Sequence, residues 1–211
     1  MRLVKKKTRR APRKLVILET YWSDHGARAF RSETVQPFFQ GLSSQLDPAL
    51  RIAHRFVETP AQLEAYTRRK GGLLWSDAET FDTPVYYLSF HGSPGRLRTA
   101  LARLGPARLC GIFRDWGRSY DNLVYFAACS VLEGERGRNF AQRFLERSGC
   151  RAVVGYTSDI DWIESMLTDL LFLKRFYADP DPWRNLREIH ESVLIDFAPA
   201  HRLGFTLYAR D

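Results

Sequence analysis

The chain has 211 residues, 45% hydrophobic and 27% charged, which suits one globular domain with a sizeable core and excludes a disordered chain. No apolar stretch approaches the roughly 20 residues of a membrane helix, and three cysteines without metal or framework spacing point to free thiols in a reducing, cytoplasmic compartment. The net charge of +8 belongs to the first fourteen residues, MRLVKKKTRRAPRK, which hold eight Lys or Arg and no acid; the rest balances 24 bases against 24 acids.

Residues 1–13 therefore read as a basic tail ahead of a single α/β domain over 14–211. A flexible, solubilising leader is the favoured reading of the tail, and an arm for nucleic acid or an anionic surface is the alternative. The segment KLVILETYW (14–22) predicts a first strand, and SETVQPFFQGLSSQL (32–46) has helical spacing with Ser32 as its N-cap. LRIAHRFV (50–57) alternates as a second strand, and TPAQLEAYTRRK (59–70) predicts a helix capped by Thr59 with Pro60 at its first position. A third strand, 84–90, delivers His91.

Two short helices are expected over 94–104 and 106–117, each opened by a proline. A strand over 122–128 ends on Cys129, and a helix over 138–149 closes on Gly149. A fifth strand (151–157), a long apolar helix (161–178), a turn (179–183), a helix (184–194) and a last strand (203–210) complete the chain. Strands alternating with helices predict a three-layer αβα sandwich around a mainly parallel six-stranded sheet, of the caspase or flavodoxin kind.

In such a sheet the functional crevice lies at the carboxyl ends of the strands. His91 and Cys129 both stand there, each directly after a continuous apolar run. Neighbouring strands are about 4.8 Å apart, so a thiol–imidazole pair is geometrically easy. A nearby histidine takes the thiol proton or steadies the thiolate. Gly92 lets the backbone turn and an amide approach an oxyanion, and Ala127 and Ala128 leave room beside the nucleophile.

YYLSFHGSPG followed by LVYFAACSVLEG resembles the clan of caspase-like cysteine peptidases, which includes caspases, separase, gingipains and bacterial CHAT domains. VVGYTSDIDWIESMLTDLLFLKRFY is similar to the clan's following strand, acidic loop and long helix. The resemblance covers about residues 14–178 and is nearest to small stand-alone bacterial members. It implies His91 as general base, Cys129 as nucleophile, and the N–H groups of Gly92 and Cys129 as the oxyanion hole. It also implies peptide-bond cleavage through an acyl-enzyme, a protein or peptide substrate, no metal or organic cofactor, and a place in bacterial defence or stress signalling. Whether an activating partner is required stays open. The Gln-Ala-Cys-Arg-Gly pattern of caspases is replaced here by Ala127-Ala128-Cys129-Ser130. A catalytically silent module binding a protein or nucleic-acid partner is the alternative from another class.

Asp159 and Asp161 follow the fifth strand and suggest a pocket for a basic side chain, by analogy with arginine-directed members. The competing reading, which we favour, makes Asp161 the N-cap of the helix starting at Trp162, with Glu164 as its capping partner. Trp162 and Trp75 are expected in the core, with a substrate groove as the alternative. Cys110 and Cys150 read as structural, His25 as a loop residue, and His54, His190 and His201 as histidines without a partner at useful spacing.

Overall fold

The computed structural model describes residues 13–21, 34–47, 49–68, 71–73, 82–114 and 122–210. The tail before Arg13, together with His25, Ser32, Trp75 and the end of the segment 106–117, lies outside them.

The main sheet is built from β1 (Arg13–Glu19), β2 (Arg51–Phe56), β3 (Asp82–Ser89), β7 (Leu123–Ala127), β8 (Ala152–Tyr156) and β9 (Phe205–Ala209). Between them come a small second sheet of β4 (His91–Ser93), β5 (Arg96–Arg98) and β6 (Arg103–Leu104), and helices α1 (Gln36–Ser44), α2 (Pro60–Thr67), α3 (Pro106–Ile112), α4 (Gly134–Ser148), α5 (Trp162–Ala178), α6 (Leu186–Asp196) and α7 (Ala198–Arg202). The strand order is β2-β1-β3-β7-β8-β9. All neighbours run parallel except β8 and β9, which are antiparallel.

The central strands are buried along their whole length, as continuous apolar runs require in a sheet covered on both faces. Alternation sends Tyr87, Tyr125 and Val154 to one core beneath α1, α5, α6 and α7. It sends Leu88, Phe126 and Val153 to the other, beneath α2, α3 and α4. Each large side chain so buried contributes about 1.5–3 kcal/mol. The molecule is the three-layer αβα sandwich expected from the sequence.

Thr59 caps α2 as expected, and the box is complete: the Gln62 N–H donates to Thr59 Oγ1 at 3.2 Å and the Thr59 N–H donates to Gln62 Oε1 at 3.1 Å. Thr59→Ala is expected to lower the unfolding free energy by about 1 kcal/mol, read from a shifted denaturant midpoint at constant slope. α4 closes on Gly149 at φ 77° and starts at Gly134, one turn earlier than its apolar spacing suggests.

The expected helix over 94–104 does not exist. Gly95 adopts φ 69° and turns the chain from β4 into β5. Arg96-Leu97-Arg98 then alternates with period two, burying Leu97 and exposing both arginines. Thr99 closes the next turn, its N–H donating to the Ala102 carbonyl at 2.8 Å while its hydroxyl accepts from the Ala102 N–H at 3.1 Å. The result is the three-stranded antiparallel sheet β4-β5-β6.

Candidate active site

β3 and β7 are neighbours, and Ser89 pairs with Ala127 at their carboxyl ends. His91 and Cys129 each lie two residues beyond that pair. Both line one cavity of about 230 Å³. The sheet ends supply its floor through Tyr87, Ser89 and Ala127, and α5 supplies a wall through Trp162, Ser165 and Met166. Val35 and Ile160 complete an apolar lining.

The turn carrying Cys129 is pinned from both sides. The Ser130 N–H donates to the Ser158 carbonyl at 2.8 Å, and the Leu132 N–H donates to the Tyr156 carbonyl at 3.0 Å. On the other side the Gly95 N–H donates to the Val131 carbonyl at 2.9 Å. Ser130 itself holds φ 52°, a left-handed conformation costly for a residue with a Cβ. Gly92 faces this turn so closely that a Cβ added there would stand 2.3 Å from the Cys129 carbonyl oxygen and 2.6 Å from Val131 Cγ2. Only glycine fits.

Asp159 accepts the Ser130 hydroxyl at 3.0 Å, beside the Cys129 turn. Asp161 caps α5, its Oδ1 accepting the N–H groups of Ile163 and Glu164, each at 2.9 Å. The Glu164 carboxylate does not close a box on Asp161; Arg202 donates to it at 2.6 Å. Of the three residues with a substrate-binding alternative, Trp162 is part-exposed and lines the cavity instead of joining the core, whereas Asp159 and Asp161 are not among its lining residues.

Cys110 and Cys150 are buried, and burial pushes both thiols up, Cys150 to about 12. Cys129 is part-exposed. Among the described residues no group of three or more His, Cys, Asp or Glu is placed to hold a metal. No helix of the described residues is long and apolar enough to cross a membrane.

Sequence reasoning missed two supporting clusters. His54, expected to lack a partner, meets buried Glu19 at 2.9 Å (Nε2 to Oε2), and Glu19 also accepts the Thr34 hydroxyl at 2.7 Å and the Val35 N–H at 3.1 Å. That cluster fixes the entry to α1 and hence Val35 in the cavity. His190 likewise has a partner, the Phe205 carbonyl at 3.2 Å, and burial lowers its pKa. The second cluster is Asp169 on α5, buried, accepting hydroxyl hydrogen bonds from Tyr87, Tyr125 and Tyr156. Burial outweighs those three bonds and raises its carboxyl to about 6. Tyr87 has its ring in the cavity lining and its hydroxyl on Asp169.

No family model matches the sequence, and no curated protein matches it. Solved structures do resemble it. A secreted C11 cysteine protease from Bacteroides thetaiotaomicron, in complex with an irreversible peptide inhibitor, matches with a TM-score of 0.58 at 11% identity, over 87% of this chain and 58% of its own. The chain thus spans less than two thirds of that protease. Caspase-1 from Spodoptera frugiperda matches with a TM-score of 0.53 at 12% identity, over 95% of this chain and 88% of its own. The fold is caspase-like.

Proposed function

We propose that the chain is a cysteine endopeptidase in which Cys129 is the nucleophile and His91 its base. The observation that carries this reading is the shared cavity: the two side chains stand at the carboxyl ends of adjacent parallel strands and line the same apolar recess. Of the structures that share this fold, one is a cysteine protease holding an irreversible peptide inhibitor and another is a caspase.

In this mechanism His91 takes the proton of the Cys129 thiol. The thiolate attacks the scissile carbonyl carbon, and the resulting oxyanion accepts from the N–H groups of Gly92 and Cys129. As the tetrahedral adduct collapses, the C–N bond breaks and His91 passes its proton to the leaving amine. A water, deprotonated by His91, then attacks the thioester, and collapse returns the proton to sulfur with release of the carboxyl product. Val35, Ile160, Trp162 and Met166 give the cavity the size and chemistry for one uncharged, apolar substrate side chain on the amino side of the cut.

The test uses alkylation of the three thiols, read by mass spectrometry, in wild type and His91→Ala. Exposure alone ranks Cys129 first, because Cys110 and Cys150 are buried. The decisive quantity is therefore the response to His91. The expected result is that Cys129 loses most of its labelling rate in the variant while the buried thiols stay slow, and that a peptide library is cleaved after apolar residues by wild type and not by Cys129→Ala. A Cys129 rate indifferent to His91 overturns the reading in favour of a silent module. Cleavage after arginine that is lost in Asp159→Ala or Asp161→Ala overturns the apolar pocket in favour of the acidic one.

A further inference from the structure

We propose that the outer face of the small sheet binds acidic residues of the substrate on the carboxyl side of the cut. The inference rests on the peptidase reading for its direction and on the small sheet for its chemistry. His91 pairs with Arg98, Ser93 with Arg96, and Arg98 with Arg103 across the three strands. Residues directly opposite share a face. His91, Ser93, Arg96, Arg98 and Arg103 therefore form one surface, while Leu97 and Leu104, at 1% and 0% exposure, form the other against the core.

That surface borders a second cleft of about 440 Å³, lined by the three arginines and by His91, Gly92, Ser93 and Leu97. His91 belongs to both cavities, so the basic cleft continues directly from the apolar recess. Among the described residues none of the three guanidiniums forms an ion pair. Arg98 and Arg103 face each other across β5 and β6, and like charges so placed destabilise a sheet. No ion pair among the described residues offsets that repulsion; a ligand rich in carboxylates does, because guanidinium forks match carboxylates in charge and geometry.

The direction follows from the chemistry of His91. It hands its proton to the leaving amine, so the leaving half of the substrate passes over His91. With the amino-side residue in the apolar recess, the carboxyl-side residues run onto the arginine face. Among the described residues the cleft presents no aromatic ring other than His91 for a base to stack on, which favours an acidic peptide over a single-stranded nucleic acid.

The experiment measures fluorescence anisotropy on the full chain carrying Cys129→Ala. The probes are a labelled peptide with a leucine followed by a run of glutamates, an isomer with the glutamates before the leucine, a glutamine version, and an oligothymidylate. The first peptide is expected to bind tightest. Changing all three arginines to glutamine is expected to weaken it about tenfold, and changing them to lysine by much less. The proposal is overturned if the glutamine peptide or the reversed isomer binds as well, if the glutamine triple variant leaves affinity unchanged, or if the oligothymidylate binds the same face more tightly than the peptide. Cys129 labelling in wild type and His91→Ala tests the peptidase reading separately, so a failed dyad and a failed acidic subsite give different results.

Discussion

Asp169→Ala is expected to lower the unfolding free energy by about 3–5 kcal/mol, because it removes the acceptor of buried tyrosyl hydroxyls and opens a void. Tyr156 keeps a partner, since the Ser165 carbonyl, 3.1 Å from its hydroxyl, takes the proton's hydrogen bond once Asp169 is gone. Tyr87 loses the acceptor that holds it, and Tyr125 keeps only its longer contact of 3.4 Å with the Tyr156 hydroxyl; an orphaned buried hydroxyl costs about 1–3 kcal/mol. Denaturant unfolding checks the loss. The same variant is expected to slow Cys129 labelling, since Asp169 ties β3, β7 and β8 to the helix that walls the cavity.

Asp169→Asn separates charge from shape. The folded carboxyl titrates at about 6 against 3.8 when unperturbed, so the folded state binds the proton more tightly than the unfolded one. Stability from this group is therefore greatest below about pH 4, falls as pH rises towards 6, and is flat above. The fall is about 3 kcal/mol at most, because a tenfold difference in proton affinity between the two states corresponds to about 1.4 kcal/mol. The difference in stability between wild type and Asp169→Asn is expected to change with pH across that window and nowhere else. Matched urea titrations at intervals from pH 4 to 7 read it; a difference that stays constant with pH would rule out a raised carboxyl at Asp169.

Gly92→Ala is expected to reduce Cys129 labelling, and any cleavage that depends on it, by about a hundredfold. The added carbon would fall 2.3 Å from the Cys129 carbonyl oxygen, and backbone cannot rotate aside as the tip of a long side chain can. Relief requires β4 or the Cys129 turn to move, although three flanking hydrogen bonds hold that turn in place. The accompanying stability loss is about 1–3 kcal/mol, the usual cost of overpacking. Thermal melting and the labelling rate are measured together. A variant that melts like wild type and labels Cys129 at the wild-type rate would show that the close approach is not needed.

The strands ending on His91 and Cys129 were legible because central parallel strands need apolar residues on both faces, leaving an unbroken run that stops at the site. The residues 94–104 misled because Leu97, Leu101 and Leu104 satisfy helical spacing, yet Leu101 is 72% exposed and Leu97 and Leu104 are buried by strand alternation. Nothing in so short a run separates the two periods except Gly95. Asp169 was hidden inside an apolar helix, and its partners lie on three strands distant in sequence. The available signal was an acid on an apolar helix face together with tyrosines at Tyr87, Tyr125 and Tyr156, which only the strand register brings together. Asp161 as a helix cap was readable because capping is local, whereas the arginine face needed the pairing of β4, β5 and β6.

The cavity draws on Val35, His91, Cys129 and Met166, which the ribosome adds in that order. Its floor forms through parallel pairing between strands far apart in sequence, and such contacts form late because long loops must close first. A growing chain therefore carries the thiol well before it carries α5, the wall that shapes a recess around it. Synthesis order keeps the sulfur without a finished site until most of the sandwich has been made.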